Sequence, residues 1–239
     1  MTGQEWLQSL FDVALDEMQA DAQHRLSPQR RRQIYGVLAR SADPAMQQAQ
    51  GWLAVLAAKR VLPLFEHLFP DDDLPREILD AAVGVLQGSV DDTRAAELED
   101  EGYNASGNAW GYEELDEITW PAALAADASY HALKEARGFQ PLRRLEQYVT
   151  VGTVTSPFQE DEAFTMEPEP IRGDTWLDEE ICTVNDTDTA AAAAVASSCR
   201  EDGPVCDPAR LRAFWAWWLE DAIPMAIKAA RLGRLPEGN

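Results

Sequence analysis

The 239-residue sequence is poor in cysteine, histidine and basic residues. Its three cysteines, Cys182, Cys199 and Cys206, are an odd number in a chain of this size, which indicates a reducing compartment rather than a disulfide framework. Six residues separate Cys199 from Cys206, and no histidine stands at a ligand-like spacing, so the sequence disfavours a zinc site. We therefore expect a cytoplasmic protein with no bound metal.

Long hydrophobic runs and a basic N-terminus are also missing. The longest apolar stretch, residues 52–58, stops at Lys59 and Arg60 and is far shorter than the roughly 20 residues that span a bilayer. Residues 1–19 contain acids but no lysine or arginine, which is the opposite of the start of a secretory signal. The sequence therefore predicts no membrane segment and no export by that route.

Acids outnumber lysine and arginine by 42 to 20, and the net charge is −22. Residues 71–117 hold fifteen acids against Arg76 and Arg94. Residues 158–189 hold eleven acids against Arg172, which leaves the other 160 residues near +1. A field of this sign repels nucleic acid and anionic membranes and attracts cationic partners. The pattern predicts two acidic regions on a near-neutral body, although an acidic surface that serves solubility alone would have the same composition.

Apolar residues at helical spacing predict an all-α fold, a multi-helix bundle of about seven to eight helices with at most a minor β element. We expect one domain over residues 1–239, with residues 158–189 as a long acidic loop insertion. Three helix starts combine a capping side chain with a proline in the first turn. These starts are Ser27 with Pro28, Asp43 with Pro44, and Asp207 with Pro208.

The helix that begins at Pro44 and runs to about Leu68 is apolar nearly all the way round, so we expect it to be the central element. Pro63 in this helix and Pro224 in the last helix each lack a backbone donor, so each helix should bend about four residues earlier, near Lys59 and Glu220. Lys59 and Arg60 lie among apolar residues, and we expect carboxylates close to both because a buried unpaired charge is costly.

The middle of the chain is less regular. Residues 91–101 predict a short acidic helix, and residues 102–111, rich in glycine and asparagine, predict an irregular segment. Residues 148–155 alternate valine and threonine, which is typical of a short strand. Residues 187–198 include five consecutive alanines and predict a helix that a neighbour can approach closely, broken by residues 201–208.

The sequence contains no constellation typical of catalysis, metal binding or cofactor binding. The histidines His24, His67 and His131 stand in ordinary surface or packing contexts. The aspartate run at residues 71–73 lacks the glycine and glutamate of a calcium loop, since Arg76 and Ala82 occupy those positions. The glycines of residues 102–111 are surrounded by carboxylates that would repel phosphate. We therefore expect no enzyme activity and no cofactor.

A group of arginines at the second helix is the only basic cluster in the first half of the chain. Against a net charge of −22, we expect these side chains to pair with the protein's own acids rather than with nucleic acid. The group consists of Arg25, Arg30, Arg31, Arg32 and Arg40.

Three stretches of the sequence carry a family resemblance: residues 34–40 (IYGVLAR), residues 51–63 and residues 214–224. Together they resemble the fifth immunity-protein family of bacterial polymorphic toxin systems. Members of that family are all-helical and are encoded beside secreted toxins, often nucleases. The resemblance implies an antitoxin role and supplies no catalytic residues.

These observations lead to the hypothesis of an immunity protein that neutralises a cognate toxin, expected to be a basic nuclease, by steric and electrostatic occlusion. The candidate partner-binding residues are acids of both acidic regions together with three aromatic anchors. They are Glu97, Glu99, Glu101, Tyr103, Trp110, Tyr112, Glu113, Glu114, Asp116, Glu117, Glu160, Asp161, Glu162, Asp178, Glu179 and Glu180. Two alternatives stay open: a small helical enzyme or ligand-binding domain with a pocket near Pro63 and Pro224, and an interaction module whose acids serve only solubility.

Overall fold

The computed structural model describes residues 3–22, 24–110, 119–138, 187–200 and 203–236, and most of them are helical. The helices are α1 (Gly3–Ala20), α2 (Pro28–Arg40), α3 (Pro44–Leu68), α4 (Leu74–Gln87), α5 (Asp92–Trp110), α6 (Thr119–Gly138), α7 (Thr187–Ala196), α8 (Pro208–Trp217) and α9 (Ile223–Leu232). A π-helical turn, π1 (Trp218–Ala222), joins α8 to α9, and an antiparallel hairpin of β1 (Ser197–Arg200) and β2 (Gly203–Cys206) precedes α8. The predicted all-α fold is confirmed.

The three capped helix starts are confirmed. Ser27 Oγ accepts the backbone N–H of Arg30 at 3.2 Å at the start of α2, and Asp43 accepts that of Ala45 at 2.9 Å at the start of α3. Asp207 accepts two backbone N–H groups, at 2.9 and 3.1 Å, at the start of α8. Each cap satisfies donors that have no partner within the helix.

Two helices, α3 and α6, form the centre of the bundle. Helix α3 packs against α2, α4, α6, α7 and α9, and α6 packs against α3, α4, α5 and α7. Trp52, Leu53 and Val55 of α3 and Leu124 and Leu133 of α6 are fully buried. The prediction that α3 is central is confirmed, and α6 shares that position with it.

The alanine-rich helix α7 lies between α3, α6 and α8. All five alanines of residues 190–194 are buried, so their small side chains do permit the close approach that the sequence predicted. The helix ends at Ala196 rather than at Ser198, because β1 begins at Ser197 and pairs with β2. This hairpin was not predicted, and the strand predicted for residues 148–155 lies outside the described residues.

The two prolines inside apolar helices have different effects. Helix α3 continues through Pro63, which lies on the exposed side of the helix. Before Pro224 the helix adopts the π-helical turn π1, which includes Glu220. The sequence predicted a bend near Glu220, and the π turn lies at that place; a π turn is a common consequence of an interrupted helical ladder.

Carboxylates were expected close to Lys59 and Arg60 because both stand among apolar residues, but both side chains are exposed. The guanidinium carbon of Arg60 lies 4.2 Å from the centroid of the Trp217 ring. Partial desolvation against this ring lowers the pKa of Arg60, and the charge of Asp221 opposes that effect. The carboxylate of Asp221 acts on Arg60, as expected. The charge of Arg60 lies at the surface, because its long side chain extends from the apolar helix towards solvent.

The prediction of an irregular segment at residues 102–111 was also wrong, because α5 runs to Trp110 without a break. Gly102 is buried, and a Cβ atom there would stand 2.7 Å from Cδ1 of Ile78 and 3.4 Å from Cδ2 of Tyr130. Glycine thus allows α5 to approach α4 and α6 closely, and this packing outweighs its poor helix propensity.

Candidate partner-binding surface

The net negative charge of the described residues lies on α4, α5 and the turns beside them. Residues 71–110, which comprise the turn before α4, α4 and α5 and are called the acidic layer below, contain eleven acids and two arginines, a net charge of −9. The other described residues contain thirteen acids and fifteen lysines and arginines, a net charge of +2. Within the part of the chain that the structure describes, the net negative charge is therefore carried by the acidic layer.

Packing places the acidic layer at the edge of the bundle. Helix α5 packs against α4 and α6, and α4 packs in turn against α3. The inner side of the layer is apolar, with Ile78, Leu79, Ala95 and Leu98 buried. Helix α4 ends at Gly88 in the left-handed conformation, with φ of 70°, which frees the chain to reverse into α5. The acids are left on the outer side.

Two arginines neutralise part of the acidic layer. Arg94 Nη1 lies 3.2 Å from Glu97 and 3.7 Å from Glu101. Arg137 of α6 lies 3.1 Å from Asp92 and also pairs with Glu99. Burial by itself would lower the pKa of Arg137, but the hydrogen bonds to Asp92 and Glu99 and their charges together outweigh it, so the pKa is raised. The exposed pairs contribute little to stability because water screens them.

The two paired acids nearest Arg94 still face solvent. The side chain of Glu97 is 58% exposed and that of Glu101 is 52% exposed, whereas Glu99 is only 22% exposed. Water-accessible carboxylates of this kind can exchange an internal partner for an external cation at small cost. Glu97 and Glu101 are therefore available for a partner, and Glu99 acts chiefly as a tie between α5 and α6.

Two tyrosines pack against each other where the acidic layer meets α6. Tyr103 of α5 is 65% exposed, and its ring centroid lies 6.0 Å from that of Tyr130 in α6. Burial raises the pKa of Tyr130, and the negative charges of Glu99, Asp127 and Asp100 raise it further. Tyr130 was not among the predicted site residues, because its alanine-rich helix carries no local sign of a surface role.

The described structure contains only part of the predicted partner-binding set. Glu97, Glu99, Glu101 and Tyr103 lie together on α5, and Trp110 is its last residue. The remaining predicted residues, Tyr112, Glu113, Glu114, Asp116, Glu117, Glu160, Asp161, Glu162, Asp178, Glu179 and Glu180, lie outside the described residues. The structure therefore brings four predicted side chains onto one helix and leaves the role of the others a prediction.

The region near the two helix-interior prolines is packed. Helices α3 and α9 pack against each other, and Ala58, Val61, Ala222 and Ala226 on α3, π1 and α9 are fully buried. At the rim of this junction Arg60 covers Trp217. A packed apolar junction counts against the alternative of a ligand pocket at this place.

Two of the three histidines lie close to an oxygen atom of the protein. His24 Nδ1 lies 2.8 Å from the backbone oxygen of Met18, and His131 Nε2 lies 3.4 Å from Asp127. In the ranges that the structure describes, no group of three or more histidine, cysteine or acidic side chains is placed to hold a metal ion. None of the described helices is both long enough and apolar enough to cross a membrane.

Comparison with known families agrees with this arrangement. The profile of the family described as Immunity protein Imm5 matches residues 11–225, which is most of the chain. A search of curated proteins found no match. The fold is that of an all-helical immunity protein, and the chain belongs to the Imm5 family. The resemblance noted in the sequence is thus confirmed, and family membership implies that the protein binds a cognate toxin.

Proposed function

We propose that this protein neutralises a basic, nuclease-type toxin by docking its acidic layer onto the cationic surface with which the toxin grips phosphate. The observation that carries the proposal is the separation of charge, with −9 on residues 71–110 and +2 on the other described residues. A nuclease needs exposed lysine and arginine to hold its substrate. An acidic helical surface competes for the same groups and covers them.

The position of the acidic layer supports a steric role as well as an electrostatic one. Helix α5 lies at the edge of the bundle and presents Glu97 and Glu101 to solvent, so a partner can reach them without any rearrangement of the core. The predicted acids of residues 160–162 and 178–180 would extend the contact in this proposal. Complementary charge also accelerates encounter, up to about 10⁸–10⁹ M⁻¹s⁻¹ at low salt.

Co-expression with the toxin encoded beside this gene tests the proposal. Wild-type protein should restore growth and co-purify with the toxin. The double variant Glu97→Lys/Glu101→Lys should lower the affinity at least about ten-fold, because it turns attraction into repulsion at two exposed positions. The matched control is Asp12→Lys/Asp16→Lys, which reverses two exposed acids at the same spacing on α1.

Two outcomes would count against the proposal. If wild-type protein neither restores growth nor co-purifies with the neighbouring toxin, the antitoxin role for that partner is wrong. If the α5 and α1 double variants weaken binding equally, the effect comes from net charge, and the acidic layer is not the docking surface.

A further inference from the structure

We infer that Tyr103 is the anchor of this surface and that its ring receives a lysine or arginine side chain of the partner. The inference rests on the proposed function and adds the chemistry of one contact to it. Tyr103 is 65% exposed, more than any other large hydrophobic residue among those the structure describes. A tyrosine ring offers a negative π face to a cation, and tyrosine is enriched among residues that dominate binding energy.

The position of Tyr103 is fixed by its neighbours. Gly102 draws α5 against Ile78 and Tyr130, as its buried position and the 2.7 Å and 3.4 Å approaches of a hypothetical Cβ atom indicate. The Tyr103 and Tyr130 rings lie 6.0 Å apart at an interplanar angle of 56°. An anchor that is already held in place loses little conformational entropy on binding. The backbone at Tyr103 is therefore held in place, and the exposed ring has Tyr130 on one side.

The surroundings of the ring favour a cation. Glu99 and Asp100 stand four and three residues before Tyr103, on the same side of α5, and Glu99, Asp127 and Asp100 all act on the neighbouring Tyr130. The pair already receives one cation from the protein itself, since Lys134 Nζ lies 5.8 Å from the centroid of the Tyr130 ring. The ring of Tyr103 is the one of the two that faces solvent, where a cation of a partner can reach it.

Charge complementarity selects the occupant. A second copy of this chain would bring another acidic layer of net charge −9 against the first, and like charges would repel. An apolar partner segment would have to displace water from the carboxylates around Tyr103, which is costly. A cationic side chain on a folded protein satisfies both the ring and the acids.

Substitutions at position 103 separate the ring from the hydroxyl. The variant Tyr103→Phe keeps the aromatic ring and removes the hydroxyl. The variant Tyr103→Leu removes the aromatic ring but keeps an apolar side chain. With toxin recovered from the co-expressed complex, calorimetric titration should give Tyr103→Phe an affinity within about three-fold of wild type and Tyr103→Leu a loss of at least about ten-fold. Urea unfolding of both variants should match wild type, because the side chain is exposed.

The outcomes distinguish this inference from the proposed function. If Tyr103→Leu and Tyr103→Phe both bind as tightly as wild type, the role of the aromatic ring is overturned, even if the charge-reversal variants still lose binding. An equal large loss for both would assign the contact to the hydroxyl and would overturn it as well. Absence of toxin binding by the wild-type protein would instead contradict the proposed function itself. Self-association that depends on Tyr103 would make a second copy the occupant.

Discussion

Asp188 is a fully buried carboxylate that connects three elements of the fold. It accepts a hydrogen bond from Trp218 Nε1 at 2.9 Å and another from the Tyr35 hydroxyl, so α7, π1 and α2 meet at one side chain. A buried charge is tolerated where hydrogen bonds replace the water that it has lost. The N-terminus of α7 is thereby fixed against the rest of the bundle.

Removal of this carboxylate should be costly. In Asp188→Ala the Tyr35 hydroxyl and the Trp218 indole N–H lose a buried acceptor, and we expect the free energy of unfolding to fall by roughly 2–4 kcal/mol. Urea denaturation measures this quantity. Asp80→Ala, which removes an exposed aspartate of α4, is the control and should change stability by less than about 0.5 kcal/mol. A cost below about 1 kcal/mol for Asp188→Ala would contradict the structural role given to this residue.

For single residues, the sequence predicted ion pairs between residues close in the chain and did not predict hydrogen bonds between residues far apart in it. The expected pairing of basic residues with the protein's own acids is confirmed for Arg25 with Asp21, at 3.0 Å, and for Arg30 with Glu17. Asp188 was counted among the solvent-exposed acids of residues 158–189. Its partner Tyr35 is 153 residues away, and no local pattern indicates such a contact.

At the start of helix α8, the residue that caps the helix also connects it to helix α7. The carboxylate of Asp207 accepts the N–H groups of Ala209 and Arg210, and its own backbone N–H donates to the carbonyl oxygen of Ala196 at 2.6 Å. One residue therefore caps α8 and joins it to the end of α7.

The cap can be tested without disturbing that junction. Asp207→Ala removes the side-chain acceptor and should lower the free energy of unfolding by about 1 kcal/mol, whereas Asp207→Asn retains an acceptor and should stay within a few tenths of a kcal/mol of wild type. Chemical denaturation of the two variants in parallel measures the difference. If the asparagine variant loses as much as the alanine variant, charge rather than capping explains the effect.

Helix starts were predictable because a cap and its proline are adjacent in sequence, as at Ser27 and Asp43. The length of α5 was not predictable in this way. Glycine at position 102 indicates a loop when it is considered alone, and only its contact with Ile78 and Tyr130, which lie on other helices, explains why the helix continues. Tertiary packing overrides intrinsic propensity here.

Over the whole molecule, the sequence predicted the all-α fold, which is confirmed, and two acidic regions, of which only the first lies partly within the described residues. The acidic segment at residues 71–117 indicated a localised negative surface, and the described residues 71–110 form two packed helices at the edge of the bundle. The sequence did not indicate which acids are internally paired. Arg137 reaches Glu99 and Asp92 from 38 and 45 residues away, so only the packing of α6 against α5 brings them together.

If the acidic layer captures a cationic partner, the rate of association with the toxin should fall as salt screens the attraction. Stopped-flow mixing with the toxin from about 10 mM to about 1 M NaCl shortens the screening length from roughly 30 Å to 3 Å. We expect the association rate constants of wild type and Asp12→Lys/Asp16→Lys to fall at least about ten-fold across this range, and that of Glu97→Lys/Glu101→Lys to start lower and fall less. An association rate that does not change with salt, or the same dependence in all three proteins, would contradict capture by the acidic layer.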